Sequence, residues 1–135
     1  MIFEKLILDD PYDPFYPGDE YVDWVGLSVY TFGSAYPWSD NIIAPAGKAA
    51  SIIDYRDFYQ KYAVQRNKPF FITETGAAFH VNTPLGPGVG ELATKQSWWQ
   101  QYITSNEFLD RYPKIKAICL FEFAKFEERN FLEPN

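Results

Sequence analysis

The sequence predicts an α/β fold built on a parallel sheet. Three features of the chain predict it: short apolar runs at residues 24–30, 70–74 and 115–123, segments of helical spacing between them, and long loops after strands with short links from helix to strand. None of the apolar runs alternates cleanly, which is the pattern of parallel strands covered on both faces. Functional loops then gather at the C-terminal ends of the strands.

Taken in order, residues 1–8 are apolar with two charges, Glu4 and Lys5, and fit a short helix or an edge strand equally well. Residues 9–18 are rich in Pro, Asp and Tyr and form an irregular connection. Asp19 is placed to cap a short helical turn before the first strand, residues 24–30, which ends on Tyr30. Residues 31–47 form a loop holding Trp38, an aromatic without periodic partners that either closes over a site or plugs the loop from below. Between 49 and 66, Ile52, Ile53, Tyr55, Phe58, Tyr59, Tyr62 and Ala63 recur at helical spacing, so one face packs on a sheet.

The second strand, Lys68-Pro69-Phe70-Phe71-Ile72-Thr73-Glu74-Thr75-Gly76-Ala77, runs from a proline through apolar residues to an acid at its C-terminal tip. Glu74 at that address is either a functional carboxylate or one that caps the next turn or pairs with a basic residue. The following loop, residues 75–90, is broken by Pro84, Gly86, Pro87, Gly88 and Gly90 and carries His80. A single loop histidine is commonly a solvated one, but the position after Glu74 makes His80 a site candidate. Helical spacing resumes from 91 to about 110 and stops at Pro113; the third strand, 115–123, again finishes near an acid, Glu122.

At 135 residues the chain fits one domain, residues 1–135, and is about half of a barrel of eight β/α units, which needs roughly 250. Aromatic residues make up 19% of it, enough to stack on sugar rings as well as to fill a core. A net charge of -6 without a basic patch argues against a nucleic-acid partner. Cys119, the one cysteine, forms no intrachain disulfide and reads as a small buried hydrophobe. A single histidine and no clustered ligand spacing leave no basis for a metal or other cofactor. No apolar stretch is long enough to cross a membrane, and Glu4 and Lys5 interrupt what would be the apolar core of an export signal.

The run Tyr16-Pro17-Gly18-Asp19-Glu20-Tyr21-Val22-Asp23-Trp24-Val25-Gly26 resembles the segment entering strand six of glycoside hydrolase family 26. Residues 68–76 resemble the family's strand seven with its nucleophile, and residues 115–123 its strand eight. The resemblance implies a partial (β/α)8 TIM barrel, strands six to eight with their helices, from enzymes best known as extracellular endo-β-1,4-mannanases. It implies a retaining hydrolase of β-linked polysaccharide or oligosaccharide, with β-mannan the leading substrate. Glu74 then matches the nucleophile and Tyr30 the tyrosine that hydrogen-bonds it; the usual spacing of neighbouring strands, about 4.8 Å, lets a phenol and a carboxylate at adjacent tips meet. Trp38, His80 and Glu122 are the candidates for substrate contacts.

Two departures accompany the resemblance. The family's general acid/base is a Glu on strand four, which this chain does not contain, so the isolated chain is expected to be inactive. Leu120 stands at the strand-eight position where the family has a Trp under the sugar. The other readings are a catalytically dead carbohydrate-binding module, a truncated gene product and a shortened α/β domain with an unrelated role. In an unclosed barrel Phe70 and Ile72 are expected to point into the interior, leaving a chain that aggregates or pairs with itself.

Overall fold

The computed structural model describes residues 11–36, 38–82 and 88–124. The readings of residues 1–8 and of Pro84, Gly86 and Pro87 lie outside the described residues. Three strands form one sheet in the order β1 (Val25–Thr31), β2 (Phe70–Ala77), β3 (Ile115–Leu120), and both pairings are parallel. Each crossover is helical, so the α/β class read from the alternation is the observed one.

The segment before β1 is tied to the far end of the first crossover. Arg66 lies over the Tyr16 ring at 4.2 Å and donates to Asp19 Oδ1 at 3.0 Å, which also accepts from Tyr16 Oη at 2.8 Å. Lys68 Nζ donates to the Asp19 carbonyl, and Val25 N donates to the Pro69 carbonyl, which starts the β1–β2 ladder. Asp19 caps no helix; residues 19–21 form a turn closed by Tyr21 N on the Gly18 carbonyl. The carboxylate is used instead to fasten this motif to Arg66.

Neither predicted helix runs unbroken. The first is α1 (Lys48–Ile53), a 3-10 turn Tyr55–Asp57 and a π-helix Tyr59–Val64. Arg56 and Asp57 take left-handed backbone angles, φ 52 and 57, which end one helical axis and start another. The restart lays Phe58 and Tyr59 on Phe70, with ring centroids 6.2 and 5.4 Å apart. The second divides into α2 (Glu91–Trp99) and α3 (Asn106–Arg111) because Ser105 Oγ accepts from Phe108 N and caps a new helix. Residue spacing shows which positions are apolar over several turns, but not a break that keeps the phase nearly intact.

The helices pack on one face of the sheet, α1 against β1 and α2 against β2. Phe70 and Ile72 are buried in that layer, contrary to their expected place on the other face. Trp98, Tyr102, Tyr62 and Tyr112 complete the core, which takes up part of the aromatic content, while Trp24, Tyr36, Trp38 and Phe121 stay exposed. Cys119 is exposed rather than buried, because its strand position turns it away from the helices. Among the described residues the second face of the sheet carries no helix layer, so these strands are not covered on both sides there.

Burial is slight at Asp19, yet its hydrogen bonds from Tyr16 and Arg66 hold its carboxyl below the usual Asp range. A depressed carboxylate stabilises the fold above its unfolded pKa of about 3.9, and that contribution is lost as pH falls through the lower folded value. Asp19→Asn should therefore lower the Tm at pH 7, and the gap from the parent should close below about pH 4. Thermal melts of both proteins across pH 2 to 7 check this; a gap that persists or widens in acid contradicts it.

Candidate active site

Strict alternation along β2 would send Glu74 the same way as Phe70 and Ile72, into the helix layer. A bulge prevents it. On β1, Leu27 pairs with Ile72 but the next residue, Ser28, pairs with Glu74, so Thr73 is passed over; the ladder to β3 shifts between Ile72 and Thr75 as well. Extra residues of this kind bend a strand and re-aim its side chains. Glu74 is thereby exposed on the open face, while Thr75, Gly76 and Ala77 return to the buried side or to close strand contact.

The bulge is held from behind by a buried hydroxyl. Trp98 Nε1–H donates to Thr75 Oγ1 at 3.0 Å, and Thr75 Oγ1 donates to Tyr102 Oη at 3.0 Å, with all three residues essentially inaccessible. Burial pushes the Tyr102 phenol above its usual pKa, so it stays neutral in this network. β2 does not end at Glu74 but runs three residues further, to Ala77. Gly76 makes that continuation possible: a Cβ there would lie 2.9 Å from the Phe121 carbonyl.

On the open face, Tyr30 Oη donates to Glu74 Oε2 at 2.9 Å. Below them Ser28 Oγ and Thr73 Oγ1 are hydrogen-bonded at 3.2 Å, either hydroxyl being able to donate. The Tyr30 ring is stacked on Phe32 at 5.3 Å and meets the edge of Phe121 at 6.2 Å. Leu120 pairs in register with Thr75, whereas Phe121 is the β3-end residue that reaches Tyr30.

The remaining candidates divide. Trp38 is 5.1 Å from Phe32, centroid to centroid, and is joined to Tyr30 through it. His80 is not a free loop histidine: its Nε2–H donates to the Phe32 carbonyl at 2.7 Å, and its backbone N–H and C=O are both engaged by the Asn41 side chain. It joins the loops after β1 and β2. Glu122 belongs to the helix side, where it accepts from Lys95 of α2 at 2.6 Å and holds that ammonium above its usual pKa. Phe32, Asn41 and Thr75 were not singled out by their sequence setting; a hydroxyl flanking an acid at a strand end is the one signal that pointed to Thr75.

Among the described residues no three His, Cys, Asp or Glu side chains cluster as metal ligands, and no helix is long and apolar enough to cross a membrane. The profile of glycosyl hydrolase family 26 matches residues 7–100, more than half of the 135. The chain belongs to glycosyl hydrolase family 26. The match spans β1, β2 and all of α2, and so contains both Tyr30 and Glu74 while leaving β3 and Phe121 outside. No curated protein matches the chain at significant similarity. Membership of family 26 carries glycoside hydrolase activity on polysaccharide at the level of the family.

Thr75→Val keeps the shape of the side chain but strands the Trp98 indole N–H and the Tyr102 hydroxyl. Leaving such buried groups unsatisfied should cost about 1 to 3 kcal/mol of unfolding free energy. Urea denaturation measures it; an unchanged midpoint would show that the buried hydroxyl holds nothing.

Proposed function

We propose that this chain supplies the nucleophile and its tyrosine partner to a retaining glycoside hydrolase acting on β-linked polysaccharide, with β-mannan as the leading substrate. The observation that carries the proposal is the 2.9 Å hydrogen bond from Tyr30 to Glu74 on an open sheet face, inside the part of the chain that matches the family. Glu74 attacks the anomeric carbon, the glycosidic bond breaks toward the leaving oxygen, and a covalent glycosyl-enzyme forms. Water then displaces the sugar from Glu74. Tyr30 fixes the carboxylate by binding one oxygen, which leaves the other to attack.

Both steps need a second carboxyl group about 5 to 5.5 Å away, which protonates the leaving oxygen and then deprotonates water. Glu122 is occupied by Lys95 on the helix side and does not fit that role. We assign the acid/base to polypeptide outside the described residues. The same reasoning extends to the fold: a three-stranded parallel arc, helices on one face and a carboxylate on the other, suits strands six to eight of a (β/α)8 barrel whose remaining strands lie elsewhere.

General acid/base catalysis contributes on the order of 10² to 10⁴-fold, so the 135-residue chain by itself should leave β-mannan uncut. Adding polypeptide that carries the second carboxyl should restore hydrolysis, and Glu74→Gln should then abolish it. Release of reducing ends from mannan reads the result. Hydrolysis by the chain alone that survives Glu74→Gln would assign the chemistry to other residues.

A further inference from the structure

The hydrogen bond from Tyr30 to Glu74 lies at the surface, where ordering two side chains offsets most of what the bond returns unless packing already holds one of them. Packing does hold the phenol. Phe32 is stacked on the Tyr30 ring at 5.3 Å with planes 23° apart, and Phe121 meets it edge-on. Phe32 is the first residue beyond β1, so whatever fixes its main chain fixes the stack.

A side chain fixes that main chain. The β1–β2 ladder closes where Ala78 N donates to the Thr31 carbonyl at 2.9 Å, and the next carbonyl, that of Phe32, accepts from His80 Nε2 at 2.7 Å. A carbonyl has no proton to give, so Nε2 carries it. His80 is in turn aimed by Asn41, 5% exposed, which accepts from the His80 backbone N–H at 2.8 Å and donates to its C=O at 2.9 Å. The Asn41 carbonyl accepts from Val89 N at 3.3 Å, and a Cβ on Gly88 would lie 2.8 Å from that oxygen, so a glycine lets the loop after β2 come this close. A continuous run of contacts leads from a buried amide through His80, Phe32 and Tyr30 to the carboxylate.

We propose that His80 is a positioning residue for the reaction at Glu74: its Nε2–H, aimed by Asn41, pins the Phe32 carbonyl and so holds the ring on which Tyr30 is seated. The proposal rests on the reading of Glu74 as the reacting carboxylate for its effect on rate, but not for its effect on Tyr30. The role asks for a donor at one place and for neither a base nor a charge, since the neutral ring with its proton on Nε2 and the imidazolium both donate there. That requirement separates two substitutions of similar polarity. A glutamine amide nitrogen sits near the place of Nε2, whereas that of asparagine sits near the place of Nδ1.

NMR of the full 135-residue chain tests it, because the single histidine makes the imidazole signals unambiguous. At about pH 8.5, above the usual range of imidazole titration, the ring proton of His80 is expected on Nε2 with a coupling across the hydrogen bond to the Phe32 carbonyl. His80→Asn should shift the Tyr30 ring resonances toward those of a freely solvated tyrosine, and His80→Gln should return them to the parent positions. The rate at which an activated fluorosugar labels Glu74 should fall about tenfold in His80→Asn and recover in His80→Gln. A parent that takes no label counts against Glu74 as the nucleophile, and the Tyr30 resonances then decide the positioning role by themselves. The proposal is overturned by a proton on Nδ1, by Tyr30 resonances that stay in place in His80→Asn, by equal shifts in the two variants, or by a labelling rate that His80→Asn leaves unchanged.

Discussion

The Thr75 hydroxyl, fixed between Trp98 and Tyr102, is the contact on which the site depends. A parallel strand whose helix face is lined by Phe70 and Ile72 would direct an acid at the next even position into the core, at prohibitive desolvation cost. The bulge between Ile72 and Thr75 resolves the conflict by spending one extra residue on the open face. It lasts because Thr75, once turned inward, satisfies an indole N–H and a phenol that would otherwise be buried unpaired. Core packing and the aim of Glu74 are two sides of one arrangement.

That arrangement is tied to the rest of the chain through side chains rather than through long helices. Arg66 and Lys68 hold Asp19 and thereby set where β1 begins beside β2. Tyr112 and Arg111 both donate to the Asp54 carboxylate at 2.7 Å, which joins α3 to the end of α1 where the first crossover breaks. Asn41 and His80 join the loops above the sheet. Each link sits where backbone pairing is missing.

Much of this was legible in the sequence. The β-branched and aromatic runs ending at Tyr30 and passing through Glu74 give the strands, their parallel order follows from helical crossovers, and adjacency of the tips brings the phenol to the carboxylate. The breaks in both helices were not legible, since Arg56, Asp57 and Ser105 interrupt the backbone without shifting the apolar positions out of phase. The bulge was hidden for a related reason: alternation counts residues, and an extra residue is recognised only by its pairing. Cys119 was misread and the pairing of Glu122 with Lys95 was not foreseen, because position near a strand end does not tell which face a side chain takes.

The proposed mechanism requires Glu74 to be the group that bonds to the sugar. An activated 2-deoxy-2-fluoro β-mannosyl fluoride needs no acid for its leaving group, and the fluorine slows release of the glycosyl-enzyme, so the intermediate accumulates. Mass spectrometry of the digested protein then reads the attachment point. The account predicts one added glycosyl group on the peptide that contains Glu74, and its disappearance in Glu74→Gln. A label on any other residue, or an adduct that persists without Glu74, contradicts it.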